Sequence, residues 1–564
     1  MTGPSSETSG APVPTAPTAP AAPADAAKRP ASGSGGLRST LLVSALTMAS
    51  RLLGLVREQL FAALLGAGFY ADAFVVAFRI PNLLRDLFAE GALSAAFVPT
   101  FTQVETEKGK QAAHELANKV VGTLLVIVGA LTLLGIVFAK PLVWALAAGF
   151  AKEPGKIELT AYLAQLMMPF LLLLSLAAVM MGMLNARGRF GAPAIAPALF
   201  NVAAIVVGAG LKLAGCSAET AVVGWSLGTL LGGLLQFGVQ VPQVWRDGYR
   251  LWPRFSGVWS DPAIRRIARL MAPATIGLAA VQVNIFINTQ FASGEPGANA
   301  WLNYAFRLMY LPIGIFGVAI ATVTASSLAK HAANKDVAQV RAGLAQGLRH
   351  VAFLTVPSTV GLVVLAQPII ALIYEHGRFK ATDTAATAVA LMGYSVGLYA
   401  YSGVKVAAPA FYALDKSRVP LIASASAVLT NLVLNALAHR YLGYVGLALG
   451  TSLGAMVNLI ILTTAFRSLT KGDQGGDGPP APPIAGQFMK VAAASALMGG
   501  AVWGAVWAFD RFVTAGGGTL MQTLRVVVGV GLGVVVYAAA CKALKVGEMD
   551  EILAAVRRRR ARRK

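Results

Sequence analysis

Ser50-Arg-Leu-Leu-Gly-Leu-Val-Arg-Glu58 places three full charges inside an apolar run that extends from about residue 38 to residue 65. A run of that length covers the roughly 20 residues a helix needs to cross about 30 Å of hydrocarbon. Arg51 lies thirteen residues beyond Arg38, about 20 Å along a helix axis, which sets it near mid-bilayer. Arg57 and Glu58 lie deeper. Arg51 and Glu58 are seven residues apart and share a helix face to within about 20°, with Arg57 flanking it.

The rest of the chain agrees with a membrane reading. Of 564 residues, 56% are apolar and 13% charged, against about 25% charged in a soluble domain. Mean hydropathy is +0.65. Fourteen apolar segments reach spanning length: 38–65, 70–104, 115–147, 158–185, 193–213, 219–244, 262–292, 298–329, 342–373, 384–413, 419–439, 444–467, 487–510 and 519–545. The expected fold is therefore an all-α polytopic membrane protein. Pro81, Pro169, Pro273, Pro312 and Pro357 interrupt several segments, as is tolerated where neighbouring helices or water satisfy the freed backbone.

Flanking these segments, residues 1–36 are rich in Ala, Pro, Ser and Thr and read as a disordered cytoplasmic tail. The Gly- and Pro-rich stretch 471–486 reads as a linker, and 546–564 as a basic tail. The net charge of +22 comes from 47 Lys and Arg against 25 Asp and Glu. With both termini inside, roughly 32 of the basic residues fall on the cytoplasmic side and roughly 9 on the outer side, the asymmetry that sets topology. The dense run from Arg557 to Lys564 then flanks anionic lipid headgroups rather than nucleic acid. Two cysteines and five scattered histidines suggest neither a disulfide framework nor a metal site.

An internal repeat divides the first twelve spans. Arg79 and Arg307, Arg189 and Arg418, and Asn201 and Asn431 recur at offsets of 228, 229 and 230 residues. Six spans per copy give both copies the same orientation, a parallel repeat of the kind that rocks about a central substrate site. The halves are 37–245 and 246–470, followed by two C-terminal helices within 487–545.

Cations outnumber anions inside the spans. Beside Arg51 and Arg57 stand Arg79, Arg85, Arg307 and Lys405; the acids are Glu58, Asp86 and Glu90, with Asp72 near a span end. Each central cation costs about 2.5–3.5 kcal/mol facing lipid, so six cost on the order of 15–20 kcal/mol. They must face water, acids or an anionic ligand. A cationic, water-filled cavity follows, suited to a phosphate ester, which the Arg fork binds bidentately. Arg79 and Arg85 have Asp72, Asp86 or Glu90 as potential structural partners. Asn201, Gln282, Asn284, Asn288 and Asn431 read as interhelical hydrogen-bonders.

At these residues the chain resembles the MurJ/MviN lipid II flippases of the multidrug/oligosaccharidyl-lipid/polysaccharide exporter superfamily. The resemblance is carried by Ser50-Arg-Leu-Leu-Gly-Leu-Val-Arg, Gly66-Ala-Gly-Phe-Tyr-Ala-Asp-Ala-Phe and, most specifically, Ile80-Pro-Asn-Leu-Leu-Arg-Asp-Leu-Phe-Ala-Glu-Gly-Ala-Leu-Ser-Ala-Ala-Phe-Val-Pro. Asn185-Ala-Arg-Gly-Arg-Phe, Trp301-Leu-Asn-Tyr-Ala-Phe-Arg-Leu-Met, Tyr394-Ser-Val-Gly-Leu and Ala408-Pro-Ala-Phe-Tyr-Ala extend it over roughly residues 37–545.

The resemblance implies two six-helix lobes around a cationic cavity, with the last two helices forming a lipid groove. It implies a monomer in the bacterial plasma membrane that carries lipid II, an undecaprenyl diphosphate bearing a disaccharide-pentapeptide. The family's cavity arginines fall on Arg51, Arg57, Arg85 and Arg307. Its first-span acid falls on Glu58, where many members have Asp, and Asp72 and Glu90 match further family acids. Phe306 stands where an acid often precedes the eighth-span Arg, which leaves Arg307 freer for substrate. No cofactor is expected. Net flux would draw on the membrane potential, at about 2.3 kcal/mol per charge per 100 mV, or on a monovalent cation. Competing readings are an exporter of another lipid-linked oligosaccharide, a drug exporter, a membrane glycosyltransferase and a non-transporting scaffold. Excess arginine disfavours the drug exporter, short outer loops the enzyme, and retained intramembrane arginines the scaffold.

Overall fold

A computed structural model describes residues 34–87, 92–470, 484–512, 518–551 and 554. Every regular element among them is helical. The first half comprises α1 (Ser34–Leu65), α2 (Phe69–Arg85), α3 (Ala92–Val137), α4 (Ala139–Ala147), α5 (Lys156–Met167), α6 (Pro169–Ala186), α7 (Gly191–Leu213), α8 (Ala218–Gly238) and α9 (Val241–Arg246). The second comprises α10 (Pro262–Ala292), α11 (Ala298–Pro312), α12 (Val318–Ala333), α13 (Val337–Val364), α14 (Ala366–Tyr374), α15 (Ala381–Ser395), α16 (Leu398–Ala413) and α17 (Arg418–Leu469). Two more helices follow, α18 (Ile484–Phe512) and α19 (Thr519–Ala543).

Each of the fourteen expected spans falls on helical structure, although 88–91 and 471–483 lie outside the described residues. Among the described residues, nine helical stretches are long and apolar enough to cross a membrane. Several expected boundaries differ. The second and third spans share α3, which runs on through the charged stretch 105–110 and breaks only where Gly109 takes φ 83°. The eleventh and twelfth share α17, broken at Gly443 with φ 53°; both glycines occupy the left-handed region that side chains disfavour. Conversely, the ninth and tenth expected spans are each two helices, parted at Leu365 and at Val396–Gly397.

Within the first half, α1 packs on α7, α7 on α8, and α3 on α6; within the second, α12 and α13 pack on α16, and α16 on α17. In each half a buried asparagine ties the fifth expected span to the first. Asn201 of α7 donates to the Ser50 carbonyl of α1 at 3.0 Å, and Asn435 of α17 donates to Asn288 of α10 at 2.5 Å. Helix α10 bridges the halves, lying against α3 and α17. Helix α18 packs on α13 and α19, and Tyr537 of α19 donates to the Phe353 carbonyl at 2.7 Å. The segment read as the start of a tail instead packs back: Glu548 is buried and accepts from Arg349 and Gln487, each at 2.6 Å.

The halves close on each other at the face away from Ser34 and Ala543. There Arg378, between α14 and α15, donates to the Leu64 carbonyl at 2.6 Å and the Cys216 carbonyl at 3.0 Å. Its backbone N–H donates to the Ala63 carbonyl at 3.0 Å. The Tyr304 hydroxyl donates to the Gly66 carbonyl at 2.8 Å. Phe61, Tyr304, Tyr374 and Phe379 belong to one buried core that draws on both halves.

Candidate functional site

Helix α11 begins without a cap of its own. Gly297 has φ 86°, and its N–H donates to Asp72 of α2 at 2.7 Å, with the Ala300 N–H donating to the same carboxylate at 2.9 Å. An acid at a helix N-terminus satisfies orphan donors and meets the positive end of the helix dipole. Asp72 also accepts from Lys156 at 3.0 Å, and both side chains are fully buried. Lys156 is held further by Glu153 at 2.5 Å and by the Phe150 ring, 4.3 Å from Nζ to its centroid. Asp72 therefore anchors the start of α11 rather than joining the arginines. Lys156 was missed in the sequence because Glu-Pro-Gly-Lys reads as a solvated turn.

Three turns into α11, Arg307 meets Glu58 of α1 at 3.1 Å. The same Glu58 oxygen accepts from Arg57 at 2.6 Å. Glu58 is 8% exposed, Arg57 15% and Arg307 41%. The Arg57 guanidinium also lies 5.2 Å from the Phe200 ring centroid. One carboxylate thus serves two guanidiniums from opposite halves.

Arg51, two turns earlier on α1, is exposed and has no carboxylate partner among the described residues. Its guanidinium reaches the other half at Gly314. A Cβ there would stand 3.0 Å from Arg51 Nη1. Gly314 sits in a π-helical turn, Ile313–Gly317, directly after Pro312. Proline cannot donate to the preceding turn, and such widened turns recur at functional positions. Arg307, Tyr310 and Gly314 form a stripe of spacing three and four, one helix face. Both ends of that stripe touch α1, so its middle also faces the seam between the halves. Tyr310 there is 45% exposed.

The remaining charges are distributed as follows. Arg85 pairs with its neighbour Asp86 at 2.8 Å, and Asp86 accepts from Gln282 of α10 at 3.2 Å. Arg79 of α2 donates to Thr289 of α10. Glu90 lies outside the described residues. Lys405 of α16 places Nζ 5.9 Å from the Tyr310 ring centroid. Asn288, Asn431, Asn435 and Thr451 hydrogen-bond one another between α10 and the two parts of α17. The structure thus brings Arg51, Arg57, Glu58 and Arg307 together at the seam and keeps Asp72 apart from them. Arg85 stands with Asp86 and α10.

Two packed helical halves with cations concentrated where they meet define an all-α polytopic membrane protein built around a charged seam. The family model for "Lipid II flippase MurJ" matches residues 61–517, and the chain belongs to that family. The probable lipid II flippase MurJ of Vibrio cholerae is 34% identical over 512 residues, covering 89% of this chain and 95% of the relative. The lipid II flippase MurJ of Burkholderia cenocepacia is 34% identical over 438 residues, covering 76% and 83%. Among solved structures, a lipid II flippase MurJ in an inward closed conformation aligns with TM-score 0.72 at 24% identity, covering 89% of this chain and 99% of that one. An inward-facing multidrug MATE transporter aligns with TM-score 0.61 at 16% identity, covering 77% and 99%. These two share the fold.

Proposed function

We propose that the protein moves lipid II from the inner to the outer leaflet of the bacterial plasma membrane by alternating access, as a monomer with both termini cytoplasmic. The observation that carries this reading is the charge imbalance at the seam: Arg57 and Arg307 share one carboxylate, Glu58, and Arg51 beside them has no carboxylate partner among the described residues. Two positive charges remain in excess, which suits a diphosphate. The names of the relatives favour lipid II over another lipid-linked oligosaccharide.

In this reading the diphosphate enters between the lobes and draws Arg57 and Arg307 off Glu58. The guanidiniums hold phosphate oxygens by paired N–H donation. When the lobes reverse, the headgroup leaves on the other side, and Glu58 reclaims both arginines as the seam closes again. Arg85 shapes the inner part of the path through Asp86 and α10. The prenyl tail stays in lipid, between the lobes or along α18 and α19. No bond is made or broken. Charges that move across the field couple net flux to the membrane potential, or a monovalent cation gradient drives it.

Complementation of flippase-depleted cells tests the reading. Arg51→Ala, Arg57→Ala and Arg307→Ala should each fail to restore growth while inserting normally, with lipid II accumulating in the inner leaflet. Restored growth in all three would overturn the assignment.

A further inference from the structure

Lys405 is an ionisable side chain within a membrane span for which no part has been given. It has no carboxylate partner among the described residues; its described contact is the Tyr310 ring. Three observations fix where it points. Tyr310 lies between Arg307, which binds Glu58 of α1, and Gly314, which abuts Arg51 of α1, on one face of α11. Tyr310 is 45% exposed, so the space over that face is open. Lys405 reaches that ring from α16, whose Ser402, one turn earlier, packs against Gly317 of the same π-helical turn. Lys405 therefore faces the seam from the side opposite α1.

An unpaired ammonium at this depth is costly unless an anion or water meets it. Its two nearest cationic neighbours on the stripe differ in state. Arg307 is engaged by Glu58, whereas Arg51 is not. The points of contact of Arg51 and Lys405, Gly314 and Tyr310, lie four residues apart along the chain, about one helical turn.

We propose that Lys405, seated on Tyr310, forms with Arg51 an anion subsite that is open while Glu58 still occupies Arg57 and Arg307. Its ligand is an oxyanion of the lipid-linked headgroup. It takes the incoming anion first, and the Glu58 pair takes it second. A compact ammonium with three rotatable donors suits this first contact, and the electron-rich ring holds it in place without neutralising it. The inference rests on the flippase reading for the identity of the ligand.

The test is equilibrium binding to the full chain in nanodiscs, with two probes: undecaprenyl diphosphate, which has no sugar or peptide, and lipid II. Lys405→Met should weaken binding about tenfold or more, as expected for loss of a charge-assisted hydrogen bond. Lys405→Arg should largely restore it, and Tyr310→Leu should give an intermediate loss. Lys330→Met, at the exposed end of α12, should leave binding unchanged. Loss with both probes assigns Lys405 to the diphosphate; loss with lipid II alone assigns it to the peptide carboxylates. Both outcomes support the subsite. Parental binding of both probes by Lys405→Met, with Arg51→Ala defective, overturns the subsite and leaves the flippase reading standing. A parent chain that binds neither probe overturns both.

Discussion

Glu58 of α1 and Arg307 of α11 stand 3.1 Å apart across the seam between the two halves, and the carboxylate oxygen that binds Arg307 also holds Arg57 at 2.6 Å. A contact of this kind closes one path and withholds two guanidiniums from a ligand. Glu58→Gln removes the competing charge and should tighten lipid II binding several-fold while slowing translocation, because release loses its driving partner. Glu58→Asp, which keeps the charge, should translocate faster than Glu58→Gln. Binding and flipping measured on the same reconstituted samples check both expectations. Weaker binding by Glu58→Gln would contradict competition.

Gly314 accommodates Arg51. A methyl group at Gly314 meets only the far end of a flexible side chain, so Gly314→Ala should insert and fold normally with a modest loss of transport. Gly314→Leu should displace the guanidinium and cut transport to the level of Arg51→Ala. Thermal unfolding in detergent should shift little for the alanine variant. Equal transport by the leucine variant and the parent would separate Arg51 from the seam.

Asp72 and Lys156 form a fully buried pair that also caps α11. Removing one partner of a buried pair leaves the other charge uncompensated, at a cost of about 3–5 kcal/mol. Asp72→Ala should lower the detergent melting temperature sharply. Asp72→Leu with Lys156→Met should recover part of the loss, since a neutral pair needs no counter-charge. A double variant less stable than Asp72→Ala would contradict this assignment.

Arg378 ties the loop between α14 and α15 to the end of α1 and to the turn before α8. Loss of these bonds should open the far face. In a background with Cys216→Ser and Cys541→Ser, a cysteine placed at Phe306 should react several-fold faster with a membrane-impermeant thiol reagent once Arg378→Ala is added. Unchanged labelling would show that the aromatic core seals this face by itself.

The C-terminal segment responds to acid. Burial pushes the Glu548 carboxyl up, but hydrogen bonds from Gln487 and Arg349 outweigh it and hold Glu548 below the ordinary glutamate value. A carboxyl with a depressed folded-state pKa contributes stability that is present above its unfolded value and is lost as pH falls through the folded one. The Glu548 contribution to the attachment of residues 546–551 to α13 should be lost as pH falls below the ordinary glutamate range, as read by protease cleavage after α19. Glu548→Gln should show the loosened cleavage at pH 7.

Apolar run length and charge placement made the spans and the seam legible in the sequence. Arg51, Arg57 and Glu58 sit within one helix, where a regular rise sets depth and face. The pairing of Glu58 with Arg307 was harder to read, because 249 residues separate them and no periodicity spans two lobes. Three features were invisible. Lys156 looks solvated in its local sequence, and only the fold brings Asp72 to it. The π-helical turn after Pro312 depends on which neighbour fills the widened backbone. The break at Val396 carries no proline signal, whereas the break at Leu365 has one in Pro368, in the first turn of α14.

Translocation of lipid II by the purified chain in proteoliposomes, compared with the Arg51→Ala, Arg57→Ala and Arg307→Ala triple variant at matched insertion and melting temperature, tests the central claim most directly. The parent should move lipid II between leaflets and the triple variant should not. Parental rates in the triple variant would contradict the claim that the seam arginines hold the diphosphate.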